Sequence, residues 1–496
     1  MLLVTALACA AKAKEISVDF GATATALDFV WGVDSARGPR CGDYDGHPGA
    51  DVSDALHAMG STLIRTHDAD AIDWPLVYPH PALDGKHPTD DPSSYEWAAA
   101  DAYFESLVGG GFEPYMRLGT SYGQLAGGLP SAGAPYNRSA LVDVLLHTVM
   151  HFNDGWGAAA GGANFTFGAV RFVELWNEPD TTCSFDLVAA PGCGRFWNRS
   201  AADFYDLVDD AARALKRYDP TLRVGACGVA VYNQGESAAA PLGDNPFAFP
   251  LIAELGRRGT PLDFFSWHGY VDRPQWYADA AGRLRAALDA AWPARTVASH
   301  VTEFFPCVLC SMQDTATGAA SLAASLTKMV QSGVAVATMY PLCDNNGNRT
   351  TRGWGLFDEV SVPGAATWRP LTHAVALFGE LAQTAPALLP ATASLPEEAP
   401  FFTVLAGRGA GAAGGGVLKA LVAAQKSSCD SVDFAVSGLD SGGAAWQWSV
   451  VVVNGTHTTP SAIAGGVAQP VDGALTMRFP LAAPAVALLR LRKVAA

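Results

Sequence analysis

Two glutamates, each closing an apolar run of strand character, are the residues whose type and spacing could do chemistry in this chain. Glu178 stands in Val173-Glu174-Leu175-Trp176-Asn177-Glu178-Pro179-Asp180, and Glu303 follows far downstream in Val301-Thr302-Glu303-Phe304. A carboxyl group at the mouth of a buried strand, with an amide beside it, suits proton transfer to a leaving oxygen. A second carboxylate across the scissile bond completes the pair that glycosidic cleavage uses. Pro179 disfavours helical geometry at the preceding residue, so the strand is expected to run up to Glu178. The ordinary fate of a glutamate is a solvated or ion-paired surface position, and what separates the two readings is where the strands end.

The surrounding pattern supplies those ends. Strand-like runs at 29–34, 62–66, 113–119, 170–176, 223–228, 264–268, 296–302 and 334–340 alternate with helical stretches, the signature of a parallel sheet with crossover helices. At 200–218, Ser200 can cap a helix, Leu207, Ala211, Ala214 and Leu215 make one apolar stripe, and Pro220 enforces the stop. Eight such units predict an α/β fold of the (β/α)8 TIM-barrel type over 27–383, whose active sites lie at the carboxyl ends of the strands, where both glutamates fall. Beyond about Gln383 the pattern turns to short alternating runs at 401–405, 417–424, 432–436, 446–453 and 485–491. These predict a C-terminal antiparallel β-sandwich over 384–496.

Several segments together resemble glycoside hydrolase family 39. They are Trp176-Asn177-Glu178-Pro179-Asp180, Phe196-Trp197, the helix from Phe204 to Lys216, Pro261-Leu262-Asp263-Phe264-Phe265-Ser266 with His268 and Tyr270, Thr302-Glu303-Phe304 and Gly353-Trp354-Gly355-Leu356, preceded by Ile64-Arg65-Thr66-His67 and Gly111-Phe112-Glu113-Pro114. The likeness is ordered along residues 28–380. It implies a retaining hydrolase in which Glu178 is the general acid/base and Glu303 the nucleophile, with carboxyl groups ~5–5.5 Å apart. Proton donation by Glu178 then requires partial burial and the nearby charge of Glu303 to keep it protonated. The resemblance further implies that Asn177 binds the sugar 2-hydroxyl, that His67 contacts glycone hydroxyls, and that His268 and Tyr270, two apart on one strand face, border the nucleophile. It also implies that the N-terminal strand at 15–20 joins the sandwich. Trp354 and Trp197 could offer flat faces to a sugar. Asp344 and Tyr340 close the eighth strand, Tyr340 standing where family members commonly carry tryptophan. The implied substrate is an oligosaccharide or glycoside, with β-xylosidase activity foremost and α-L-iduronidase or endo-acting hydrolysis as alternatives. A carbohydrate-binding protein without catalysis is the rival from another class, and the presence of both glutamates argues against it.

Composition narrows the partners. The 496 residues carry a formal net charge of −16, which argues against nucleic acid or anionic membrane, since phosphate binding needs clustered Lys and Arg. Residues 1–10 read as a short secretory signal lacking its basic start, and no later stretch is apolar enough to span a bilayer. Nine cysteines become eight if Cys9 leaves with that signal, an even count suited to disulfides in a secreted or lumenal protein. Cys183 and Cys193 flank a short loop after Glu178. Cys307-x-x-Cys310 lacks the second pair a zinc site wants, so neither metal nor cofactor is expected. Sequons at Asn137, Asn164, Asn198, Asn348 and Asn454 agree with secretion. Gly119-Thr120-Ser121-Tyr122-Gly123 imitates a serine-hydrolase elbow, but Gly127-Gly128-Leu129-Pro130 replaces the helix an elbow needs. It reads as a loop after the third strand.

Overall fold

Eight short apolar strands pair in parallel, each with its neighbours in sequence, and the last closes on the first. They are β1 (Val30–Asp34), β2 (Leu63–Arg65), β3 (Glu113–Leu118), β4 (Phe172–Leu175), β5 (Arg223–Val229), β6 (Phe264–Tyr270), β7 (Ala298–Phe305) and β8 (Val334–Met339). The computed structural model describes residues 13–41, 49–80, 83, 86–121, 137–158, 170–180, 196–197, 199–230, 245, 247–306, 312–343, 355–358, 366–394, 401–410, 416–426, 430–440 and 444–494.

The crossover helices follow from their patterns. In Ala201–Tyr218, the Ser200 hydroxyl accepts from the Asp203 amide at 3.1 Å, and Phe204, Leu207, Val208, Ala211 and Leu215 recur at helical spacing to bury one face. Buried on both sides, the strands are almost uniformly apolar outward, and inward they sort into tiers. The floor is apolar and aromatic: Leu63, Tyr115, Phe264 and Val336, with Phe172 and Ala298 against them. Two residues further along their strands stand Arg65, Arg117, Glu174 and Ser266, all fully buried. The apolar floor excludes water from below, so these polar groups need protein partners: Arg65 donates to Glu174, Arg117 to Asp73 and Ser121, and the Ser266 hydroxyl accepts from the Gly228 amide.

The C-terminal strands build two packed sheets. The larger joins, in spatial order, Thr25–Ala26, Ala387–Leu389, Phe402–Ala410, Gly416–Ala424, Ala485–Lys493, Trp446–Asn454 and Ser461–Ala468. The smaller joins Ala391–Ala393, Lys14–Asp19, Ser431–Ser437 and Leu475–Pro480, the N-terminal strand lying parallel to Ser431–Ser437. Ile16, Val18, Phe434, Leu418, Leu489 and Trp446 share the core between them. Glu380, on the barrel helix Pro370–Thr384, fastens the sandwich: its carboxylate accepts from Arg490 Nε and Nη2, each at 2.6 Å, and from Lys419 Nζ at 2.7 Å. A disulfide joins Cys41 to Cys343, linking the segment after β1 to the segment after β8. The spacings of Cys183, Cys193, Cys307 and Cys310 lie outside the described residues. No helix among the described residues is long and apolar enough to cross a membrane.

Candidate active site

Glu178 does not sit on extended backbone. β4 ends at Leu175, and both Trp176 (φ 79°) and Glu178 (φ 44°) adopt left-handed geometry. The proline thus excludes a helix without prolonging the strand, which corrects the sequence expectation. Such a conformation costs on the order of 1–3 kcal/mol in a non-glycine residue and persists only where neighbours impose it. Here they do. Trp176 donates its amide to Leu118 O at 2.8 Å and its indole N–H to Phe196 O at 2.7 Å, while the Glu178 amide points at the carbonyls of Cys227 (3.1 Å) and Gly228 (3.0 Å). Asp180 pins the far side, accepting from the Ala230 amide (2.9 Å) and from Asn245 Nδ2 (3.1 Å). Burial pushes the Asp180 carboxyl up to about 7.

Glu303 is aimed by a break in strand register. Trp267 pairs with Val301, but the next residue, His268, pairs with Glu303, so Thr302 is the extra residue of a β-bulge. Ala298, His300 and Thr302 face the barrel interior by alternation, and the bulge lets Glu303 do so as well. Thr302 donates to Glu174 Oε1 at 2.8 Å; Glu303 rises above it toward the strand ends. Arg65 Nη1 (2.9 Å) holds Glu303 Oε1, and the Tyr270 hydroxyl (2.5 Å) holds Oε2. Burial above all, with repulsion from Glu178, raises the Glu303 carboxyl, and His268, Arg65 and the Tyr270 hydroxyl oppose the rise.

Arg65 is the hub beneath. Nε donates to Glu174 Oε2 (2.7 Å), Nη1 to Asp34 Oδ1 (2.9 Å) and to Glu303, and Nη2 to Asn177 Oδ1 (2.7 Å). Although burial opposes its charge, the carboxylates of Glu174, Asp34 and Glu303 hold the guanidinium firmly protonated. Burial drives Asp34 the other way, well above the carboxylate range. With Oδ1 of Asn177 spent on Arg65, its buried Nδ2 has no hydrogen-bond partner among the described residues and could donate to a ligand.

Two histidines complete the ring. His268 Nδ1 lies 2.8 Å from Glu178 Oε1 and 3.5 Å from Glu303 Oε2, and burial lowers its pKa to about 4. His67 Nε2 lies 3.4 Å from Glu303 Oε1; burial, with Arg65 and Arg117 nearby, drives it well below its ordinary value. Both are therefore neutral near pH 7 and hydrogen-bond rather than carry charge.

The structure brings together Glu178, Glu303, Asn177, His67, His268 and Tyr270. Trp197 is not among them: its indole packs edge-on to Trp176 and Phe204 and donates to Ser200 O. Asp344 and Trp354 lie outside the described residues. Sequence reasoning passed over Arg65, Glu174 and Asp34; charged residues inside apolar strands were the available signal, because a barrel interior tolerates them only when paired. Ser121 likewise meets Arg117 Nη2 (2.7 Å) and Asp73 Oδ1 (2.9 Å), not an imidazole. Glu178, His268 and Glu303 place one ligating atom each within 4.8 Å of one another, a spacing that could embrace a cation. The Arg65 guanidinium already supplies positive charge at Glu303, and a metal there would be repelled by it.

No protein-family model matches the chain, and no curated protein matches its sequence. Solved structures do match. A glucosidase from Croceicoccus marinus superposes with a TM-score of 0.73 at 21% identity, covering 97% of this chain and 99% of that one. A GH39 enzyme from Xanthomonas axonopodis pv. citri gives 0.66 at 17% identity over 98% of each chain. A monomeric β-xylosidase from Caulobacter crescentus also gives 0.66, at 18% identity, over 97% of this chain and 100% of its own. From the N-terminal strand to the last strand of the sandwich, this chain has the fold of the family 39 glycoside hydrolases.

Proposed function

We propose that the protein is a retaining glycoside hydrolase acting by double displacement, with β-xylosidase-like removal of a terminal sugar as its activity. The observation that carries this reading is the approach of a Glu178 oxygen and a Glu303 oxygen to within 4.8 Å. Inverting enzymes need ~6.5–9.5 Å between carboxyl groups to admit a water, whereas direct attack needs ~5–5.5 Å. In the first step Glu303, held by Arg65 and Tyr270, attacks the anomeric carbon while Glu178 protonates the departing oxygen. Two carboxyl groups this close share one negative charge, and the two donors on Glu303 favour its being the ionised member. Once Glu303 is esterified the repulsion vanishes, so Glu178 can ionise and take a proton from water in the second step. In this reading Asn177 Nδ2 donates to the 2-hydroxyl, a contact that strengthens at the transition state.

The names of the neighbours, a glucosidase and a β-xylosidase, support an exo-acting role on neutral β-glycosides. In this reading 27–383 is the catalytic unit, and 384–496 with the N-terminal strand buttresses it. The Cys41–Cys343 disulfide and the sequons support a secreted or lumenal setting. Proton NMR of the first-formed sugar from an aryl xyloside tests the mechanism. Retained anomeric configuration is expected; an inverted initial product would remove Glu303 as nucleophile.

A further inference from the structure

We propose that Tyr277 is a positioning residue for the nucleophile: from the helix behind β6, its hydroxyl fixes the strand end from which Tyr270 holds Glu303. The inference rests on the glycosidase reading above and extends it to a side chain outside the cleft.

β6 ends at Tyr270, and alternation turns His268 and Tyr270 into the barrel while Trp267 and Gly269 face the surrounding helices. The chain reverses at Val271-Asp272-Arg273 and enters the helix Pro274–Ala291, whose first turn brings the fully buried Tyr277 back against Gly269. The Tyr277 hydroxyl donates to Gly269 O at 2.7 Å and lies 3.5 Å from Phe305 O. The Val271 amide approaches the same oxygen and opposes the rise that burial imposes on its pKa. One phenol therefore meets the backbone on either side of Tyr270 and the strand end just beyond Glu303. The fit is close. A Cβ at Gly269 would come within 2.8 Å of the Tyr277 ring and 2.9 Å of the Trp276 ring, so only glycine permits this approach.

A buried phenol often donates to a backbone carbonyl as plain packing; what distinguishes Tyr277 is the backbone it ties. β6 pairs with β7 to its end but with β5 only as far as Trp267, and glycine at 269 gives the unsupported stretch its greatest freedom. Yet the Tyr270 hydroxyl must stay 2.5 Å from Glu303 Oε2, a bond to a charged acceptor that weakens steeply with misalignment. That contact favours the ionised form of Glu303. Arg65, His67, His268, Glu178, Asp34 and Tyr340 also bear on Glu303, and a change at Tyr277 leaves all of them in place.

Tyr277→Phe tests the proposal, since it keeps the ring against Gly269 and deletes only the hydroxyl. As the Tyr270 contact weakens, the acidic limb of kcat/KM for an aryl β-xyloside is expected to move to higher pH by about half a unit to one unit. kcat per folded molecule should fall about tenfold with KM little changed. Tyr270→Phe should move the limb in the same direction, and adding Tyr277→Phe to it should move the limb no further. Limb positions and KM do not depend on how much of a preparation is folded. A limb that stays in place in Tyr277→Phe, whatever the stability of that variant, overturns the proposal, as does a further shift in the double variant. Carbon-13 NMR titration of the Glu303 carboxyl, assigned with Glu303→Gln, repeats the comparison without turnover. A wild type that hydrolyses no aryl glycoside refutes the glycosidase reading, and the carboxyl titrations of the same variants then decide the role of Tyr277 by themselves.

Discussion

Arg65 and Glu303, 238 residues apart in sequence, meet at 2.9 Å inside the barrel, and the same Arg65 nitrogen reaches Asp34. A single guanidinium therefore balances the nucleophile, a strand-end aspartate and Glu174 in a space sealed from water. Its removal has consequences for stability and for titration.

Arg65→Met strips the counter-charge from Glu174 and Glu303 and a hydrogen-bond donor from Asp34. Breaking a buried ion network in this way destabilises by about 3–5 kcal/mol, to be read from chemical denaturation. Because Arg65 favours the charged form of Glu303, its loss raises that carboxyl further. The acidic limb of the kcat/KM profile should move to higher pH. A variant with wild-type stability and an unmoved acidic limb would contradict the hub.

Substitution separates the two glutamates by leaving group. Glu178→Ala should slow poor leaving groups by about 10²–10⁴-fold while sparing glycosylation by dinitrophenyl glycosides, which need no protonation, and azide should restore turnover by attacking the trapped intermediate. Glu303→Ala removes the covalent step for every leaving group, a loss on the order of 10⁶ in kcat. Steady-state rates of both variants across a series of aryl leaving groups decide the matter. Equal losses across the series would show that the roles are not divided.

Trp197→Ala should destabilise by about 3–5 kcal/mol, as loss of a buried aromatic does, with KM for small aryl glycosides little changed in the protein that remains folded. A large rise in KM at unchanged stability would return Trp197 to the cleft.

Asp180 ties the Glu178 loop to Ala230 and Asn245, and burial carries its carboxyl from an ordinary 3.8 to about 7. The folded state therefore keeps a proton that the unfolded chain releases. The contribution to stability is fully present below the unfolded value near 4 and is lost as pH rises to 7. Denaturant midpoints between pH 4 and 8 should fall along this window in wild type and fall less steeply in Asp180→Ala. Identical slopes would assign the titration to another group.

Much of the fold was legible along the chain. Period-two and period-3.6 patterning does not depend on distant partners, so all eight barrel strands, the helix Ala201–Tyr218 and five sandwich strands fall where their apolar runs put them. The strand at Ser461–Ala468 escaped because it is rich in glycine and alanine and largely exposed, leaving no apolar alternation to read, whereas Leu475–Pro480, with Leu475, Met477 and Phe479 buried between exposed residues, carried a readable pattern.

The site divides along the same line. Residue type and position at a strand end mark Glu178 and Glu303 from sequence, because a carboxylate closing an apolar run is chemically conspicuous wherever the chain later folds. Tertiary structure alone decided how they are aimed. The bulge at Thr302 exists because β6 and β7 slip register by one residue, and it turns Glu303 inward where simple alternation would turn it out. The left-handed backbone at Glu178 exists because the carbonyls of Cys227 and Gly228, from the next strand, capture its amide. Arg65 joins Asp34, Glu174, Asn177 and Glu303 only once β1, β4 and β7 have closed around it, for electrostatic balance in a dry interior belongs to the assembled barrel and to no one segment of its sequence.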